Sequence, residues 1–200
     1  MNQPSDEELM RQYCGGDRSA MTSLVQRHQR AVFHFALRHV RSPDVAQDVA
    51  QDAFVRVVQS AADFKEQAKF LTWLFTIVRN LCLDHARRQT HRRHASLDAG
   101  RPGAEGEGPT LGEQTRDATA DVERTAASNE LSVRIQGAVD RLPDEQREVF
   151  LLREVANLPF KEIAGVTGVS ENTVKSRMRY ALERLQEALL EYEDFARSLK

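Results

Sequence analysis

Apolar residues along this chain recur every three or four positions and almost never alternate, the signature of amphipathic helices rather than half-buried strands. In "DEELMRQYCGGDRSAMTSLVQRHQRAVFHFALRHV", Leu24, Ala31, Val32 and Phe35 fall on one face, and Gly15-Gly16 divides the stretch into two helices. In "SPDVAQDVAQDAFVRVVQS", Val45, Val49, Ala53 and Val57 form a stripe four residues apart. Ser42 is placed to cap that helix, and Pro43 stands at its first turn, where a missing N–H costs nothing. "FLTWLFTIVRNLCLDHARRQTHRRH" carries Phe70, Trp73, Leu74, Ile77 and Leu81 as its core stripe. Beyond Leu142 the pattern predicts three more helices, begun by Pro143, Pro159 and Ser170. The last is expected to pack through Tyr180, Leu182, Leu185 and Leu189.

Periodicity fails between these two halves. "GRPGAEGEGPTLG" is rich in glycine, proline and acids, as a tether is. From Ser96 to Glu130 there are three Arg against eight Asp or Glu. Met1–Ala95 has fourteen basic and ten acidic residues, and Leu131–Lys200 eleven and twelve. The net charge of -2 therefore hides a basic first half. The expected fold is all-α: two helical domains, 1–95 and 128–200, joined by an acidic flexible linker at 96–127, with a helix-turn-helix in the second.

Other classes are disfavoured. Two cysteines, Cys14 and Cys82, make no disulfide framework, so a reducing cytoplasm is the simplest setting. "MNQPSDEELM" is no signal peptide, and no apolar run is long enough to span a bilayer. Cys82, His85, His91 and His94 match no usual zinc spacing and stand among cations that oppose a metal. No nucleophile–base pair, phosphate loop or carboxylate pair is recognisable, so neither an enzyme nor a cofactor is expected.

Two patterns carry chemistry. Asp44, Asp48 and Asp52 form an acidic ridge beside the Val45–Val57 stripe. Like charges at that spacing repel, so the ridge is either a plain solvated face or a contact for a basic partner. Arg79–Arg93 holds five arginines and one acid next to aromatic residues, a combination suited to single-stranded nucleic acid. The aromatics are also explained as core, and some of the charge as a response to the helix dipole. In "FKEIAGVTGVSENTVKSRMRYALERL", Ala164, Gly168 and Val174 have helix-turn-helix spacing. The second helix then offers Asn172, Thr173, Lys175, Ser176 and Arg179 to a major groove.

"DVAQDVAQDAFVRV", "FLTWLFTIVRNLCLDHARR" and "LPDEQREVFLLREVANLPFKEIAGVTGVSENTVKSRMRYALERL", in that order around an acidic linker, resemble the extracytoplasmic-function (ECF) group of bacterial sigma factors. The resemblance implies a dissociable specificity subunit of RNA polymerase. It places Asp48, Gln51 and Asp52 against the β′ clamp helices of the core enzyme, whose β subunit is a further contact. It places Phe64, Lys65, Glu66 and Gln67 at a loop that captures a flipped −10 base, and Arg79 and Asn80 on the single-strand surface. Asn172, Thr173, Lys175, Ser176 and Arg179 match the −35-reading face. Lys175 stands where many members have arginine and lacks the bidentate fork, which favours a phosphate role. The linker's charge suits entry into the polymerase RNA channel or a solvated tether. An anti-sigma factor is a further partner common in the group. Free in solution, such a tether is not expected to hold the two DNA readers at promoter spacing. Two rivals are a dimeric helix-turn-helix regulator and a polymerase-binding decoy.

Overall fold

The computed structural model describes residues 3–64, 69–98 and 133–198, with side chains omitted for 91–98 and 191–198. Among the described residues all regular structure is helical. The helices are α1 (Asp6–Cys14), α2 (Arg18–Val40), α3 (Pro43–Gln59), α4 (Phe70–Asp98), α5 (133–141), α6 (Asp144–Glu154), α7 (Phe160–Thr167) and α8 (Glu171–Ser198), with a single 3₁₀ turn at Ala61–Asp63.

Local chemistry sets the element ends. Ser5 Oγ accepts from Glu8 N at the start of α1. Asp17 does the same for Ser19 N at the start of α2, after a break in which Gly16 takes φ 103°. Ser42 occupies the N-cap of α3 and Pro43 its first turn, as the sequence suggested, but the serine side chain makes no capping bond. The bond that closes this helix start is backbone only, Ala46 N to Ser42 O.

α1–α4 enclose a core in which Met10, Leu24, Val32, Phe35, Phe70, Leu74, Phe75 and Val78 are fully or almost fully buried. Phe35 meets Phe75 edge-on with ring centroids 5.4 Å apart. Trp73 is half-buried and packs on Phe64, centroid to centroid 5.2 Å. The aromatics of α4 are thus largely core.

In the second unit α6, α7 and α8 close around Leu152, Leu158, Ile163 and Val174. Arg147 is buried and ties α5 to α6, donating to the carbonyls of Asp140 and Leu142 and pairing with Asp144. Gly168 ends α7 at φ 73°. A Cβ built there meets nothing within 4 Å, so glycine is needed for its backbone conformation and not for space. Gly168→Ala is expected to destabilise the protein by ~1–2 kcal/mol, read as a lower urea midpoint at unchanged slope.

The face of α8 differs from the sequence expectation. Tyr180, Leu182 and Leu189 are exposed, and of the four residues expected to pack only Leu185 is buried. The buried seam is Val174, Met178, Ala181 and Leu185, at spacings of four, three and four. Leu182 lies one residue past Ala181, off that seam, and Leu189 lies beyond its last member, Leu185; both are exposed. Their apolar character alone could not reveal this.

The two units are also packed together. α7 lies against α4. Thr72 Oγ1 of α4 donates to Glu162 Oε2 of α7 at 2.6 Å. Arg38 of α2 reaches both carboxylate oxygens of Asp140 at 3.1 and 3.2 Å. Side chains of the two units thus meet in hydrogen-bonded and ionic pairs, while the segment that joins them, 99–132, lies outside the described residues.

Candidate functional site

Three surfaces carry the predicted residues, and the fold treats them differently. On α3, burying Ala46, Val49, Ala50, Ala53 and Val57 turns Asp44, Asp48, Gln51 and Asp52 outward. Val55 and Val58 extend that face as exposed apolar residues. Neither Asp48 nor Asp52 makes an ion pair with another described residue. The face therefore has unneutralised charge flanked by apolar area, an arrangement suited to a basic partner.

On α4 the predicted single-strand residues separate. Asn80 is exposed. Arg79 is engaged: its Nε donates to Glu148 Oε1 at 2.8 Å and its Nη2 to Oε2 at 3.5 Å. The pair is well shielded, with side-chain exposures of 22% for Arg79 and 10% for Glu148. Phe64 packs against Phe70 and Trp73. Lys65, Glu66 and Gln67 lie outside the described residues. So do residues 99–127 of the expected linker and the side chains of His91 and His94; residues 96–98 continue the backbone of α4.

Cys82 is buried on the next turn, and burial, with help from Glu148's charge, pushes its thiol up to about 12. A metal site would need the thiolate that this environment opposes.

On α8 the third surface is fully formed. Ser170 Oγ accepts from Thr173 N at 3.1 Å, capping the helix as expected. Val174 is buried and anchors it. Asn172, Lys175, Ser176 and Arg179 are exposed and Thr173 is half-exposed. Lys175 Nζ rests 2.7 Å from Glu171, and Arg179 lies over the Tyr180 ring, 4.8 Å from its centroid, and 3.7 Å from Glu183. The two ion pairs, Lys175–Glu171 and Arg179–Glu183, are exposed i,i+4 pairs worth a few tenths of a kcal/mol, so phosphate can displace them.

His39 was not singled out from the sequence. Its Nδ1 donates to the Phe35 carbonyl at 2.8 Å and its ring stacks on Phe35 at 4.2 Å. Burial holds its pKa below the ordinary 6.5; the Phe35 bond and the charges of Glu148 and Asp144 act upward, and Arg147 acts downward. The neutral ring is thus favoured in the folded chain. Its stability contribution is full above an unfolded pKa of ~6.5 and is lost as pH falls toward the lowered value. Thermal melts should show this acid loss, and His39→Gln should flatten it.

Comparison with known proteins gives these surfaces a context. The Sigma-70 region 2 family matches residues 24–92, and the Sigma-70, region 4 family matches residues 132–185. The acidic ridge and the Arg79 helix fall in the first match, the helix-turn-helix in the second. The fold is therefore that of a two-part sigma factor. ECF RNA polymerase sigma factor SigM of Mycobacterium tuberculosis (strain H37Rv) is 34% identical over 185 residues, covering 92% of this chain and 85% of SigM. The solved structure of CnrH in complex with the cytosolic domain of CnrY superposes with a TM-score of 0.64 at 26% identity, covering 94% of this chain and 99% of CnrH. RpoE of Bartonella quintana, solved with the anti-sigma factor NepR, shares the fold, with a TM-score of 0.61 at 23% identity over 84% of this chain and 95% of RpoE. The chain belongs to the extracytoplasmic-function group of RNA polymerase sigma factors, and it directs promoter-specific transcription initiation.

Proposed function

We propose that each of the three surfaces holds one partner of the initiating complex. The α3 ridge of Asp48, Gln51 and Asp52 docks on the basic clamp helices of the polymerase β′ subunit, with the β subunit as a further contact. Phe64 and the segment 65–67 receive a flipped −10 base, and Arg79 and Asn80 hold the single strand beside it. The unit 1–95 serves polymerase binding, −10 recognition and melting; 96–127 is the connector; 128–200 reads the −35 element. The protein acts without catalysis of its own, in the cytoplasm where polymerase is. Among the described residues no helix is long and apolar enough to cross a membrane. An anti-sigma factor is the expected regulatory partner class, on the precedent of RpoE with NepR.

The observation that carries the reading is the α8 face: a capped recognition helix whose Asn172, Lys175, Ser176 and Arg179 all stand exposed on one side. Base and phosphate roles there differ in their signatures. Arg179 lies closer to the middle of the exposed face, and its guanidinium has the fork that matches a guanine edge. Arg179→Ala is expected to cost ~1–3 kcal/mol on the preferred promoter and to relax choice at one position. Lys175→Ala is expected to weaken all promoters alike and to reduce the salt slope by about one contact. Holoenzyme binding to −35 variants at several salt concentrations measures both. Unchanged −35 selectivity and salt dependence in both variants would remove α8 from promoter reading.

A further inference from the structure

α4 begins without a capping residue of its own. The residue that precedes it, Lys69, offers donors and no acceptor, and no acid stands in its first turn. The missing acceptor comes from α1: Phe70 N donates to Glu7 Oε1 at 3.3 Å, and Lys69 Nζ lies 3.9 Å from the same oxygen. A carboxylate there also suits the positive end of the α4 dipole. Next to Glu7, Asp6 accepts from His28 Nε2 at 2.8 Å and from Arg27 Nη1 at 2.9 Å, and the His28 ring lies 5.7 Å from that of Phe70. At its other end α1 meets the chain that leads into α4. Cys14 Sγ donates to the Ala61 carbonyl at 3.4 Å, at the start of the 3₁₀ turn before Phe64. Between these two contacts Leu9 and Met10, both buried, fix α1 to the core.

Glu7 and Cys14 are separated by about 10 Å of helix rise, whereas the chain from Ala61 to Phe70 could extend to about 30 Å. Ring contacts close the gap from inside: Phe64 lies 6.3 Å from Phe70 and 5.2 Å from Trp73, centroid to centroid. We infer that α1 is a strap that sets the separation of Phe64 and Phe70, and that Glu7, by capping α4 from another helix, is a positioning residue for −10 recognition. This role rests on the −10 role of Phe64. A receptor for an extruded base works best if its walls are held before the base arrives, because ordering them during binding subtracts from affinity. The strap supplies that order from outside the DNA-contacting helix. All of its contacts lie within the first unit, so it acts alike in the free chain and in holoenzyme.

Transcription of a genomic fragment library by core polymerase with each full-length variant reads base preference at the −10 and −35 motifs separately. A merely structural loss lowers yield at every promoter and leaves both preferences as they were. Glu7→Ala is expected to lower −10 discrimination about fivefold, the factor that matches loss of one helix cap, with −35 discrimination unchanged. Glu7→Gln keeps an acceptor oxygen and is expected to restore wild-type discrimination. Glu8→Ala removes the same charge from the same turn at an exposed position and serves as the control. Trp73, the only tryptophan of the chain, reports the same order in the free protein. Its emission should shift to the red in Glu7→Ala and return in Glu7→Gln. Should Glu7→Ala fail to fold by circular dichroism, Glu7→Asp keeps the charge, shortens the reach and is expected to show the same loss. Discrimination in Glu7→Ala equal to that of Glu8→Ala would overturn the strap. So would a loss in Glu7→Gln as large as in Glu7→Ala, since charge and not capping would then be at work. Phe64→Ala separates the strap from the reading beneath it. If Phe64→Ala relaxes −10 preference and Glu7→Ala does not, the −10 role of Phe64 stands without the strap. If neither does, that role fails and the strap with it.

Discussion

Asp48→Lys with Asp52→Lys is expected to lower affinity for core polymerase by about 100-fold or more, equivalent to ~3 kcal/mol. Both carboxylates are exposed on α3, and neither is paired with a described residue. The change therefore touches no core contact of the free protein, and its melting curve should stay close to wild type. Exposed charge reversals away from structural features usually shift stability by less than ~0.5 kcal/mol. The large effect comes from placing cations against a cationic partner, which is repulsive rather than merely neutral. A competition pull-down against core enzyme measures it. Full retention of binding by a folded double variant would remove the ridge from polymerase docking and return it to the plain solvated face that the sequence also allowed.

The second large effect falls on Arg79. In holoenzyme, Arg79→Ala is expected to weaken single-strand binding at the −10 element by ~1–3 kcal/mol, the usual value of a hydrogen bond to a charged group. In the free chain the same substitution strands the Glu148 carboxylate, which is 10% exposed, without its partner. An unpaired buried charge is costly, so the units should part. Arg79→Ala is thus expected to weaken single-strand binding in holoenzyme and to part the units in the free chain. Permanganate footprinting of the melted region reads the first effect. Interdomain energy transfer reads the second. Equal and unchanged footprints for wild type and Arg79→Ala would show that α4 grips no strand through this residue.

Much of this architecture was legible in the sequence because helical cores repeat at fixed intervals. The breaks at Gly15-Gly16 and Gly168 were visible since glycine supplies left-handed backbone, and Gly16 and Gly168 both take positive φ. The acidic ridge was legible for the same geometric reason: once Val49, Ala53 and Val57 are inside, Asp48 and Asp52 must be outside. What pattern could not supply was contact between distant elements. Tyr180, Leu182 and Leu189 look like core by composition and are exposed, because nothing in α8 itself tells which side α6 and α7 will cover. Arg79 looks like a free cation in a basic run, and Glu148 like one more surface acid; they are 69 residues apart, and only the fold joins them. His39 gave no signal either, since the charges that act on it come from α6, far along the chain.

On this reading the chain converts core polymerase into a promoter-selective enzyme by recognising two elements at once. The most direct measurement is transcription from a genomic fragment library by core polymerase, with and without the protein, followed by mapping of transcript starts. A new set of starts is expected that appears only with the protein and shares one upstream pair of motifs at constant spacing. Arg179→Ala should relax the −35 motif of that set, and Asp48→Lys with Asp52→Lys should abolish the set altogether. Polymerase binding with no new starts would instead mark a decoy, and tight binding to a two-fold site without polymerase would mark a stand-alone regulator; either result would contradict the account.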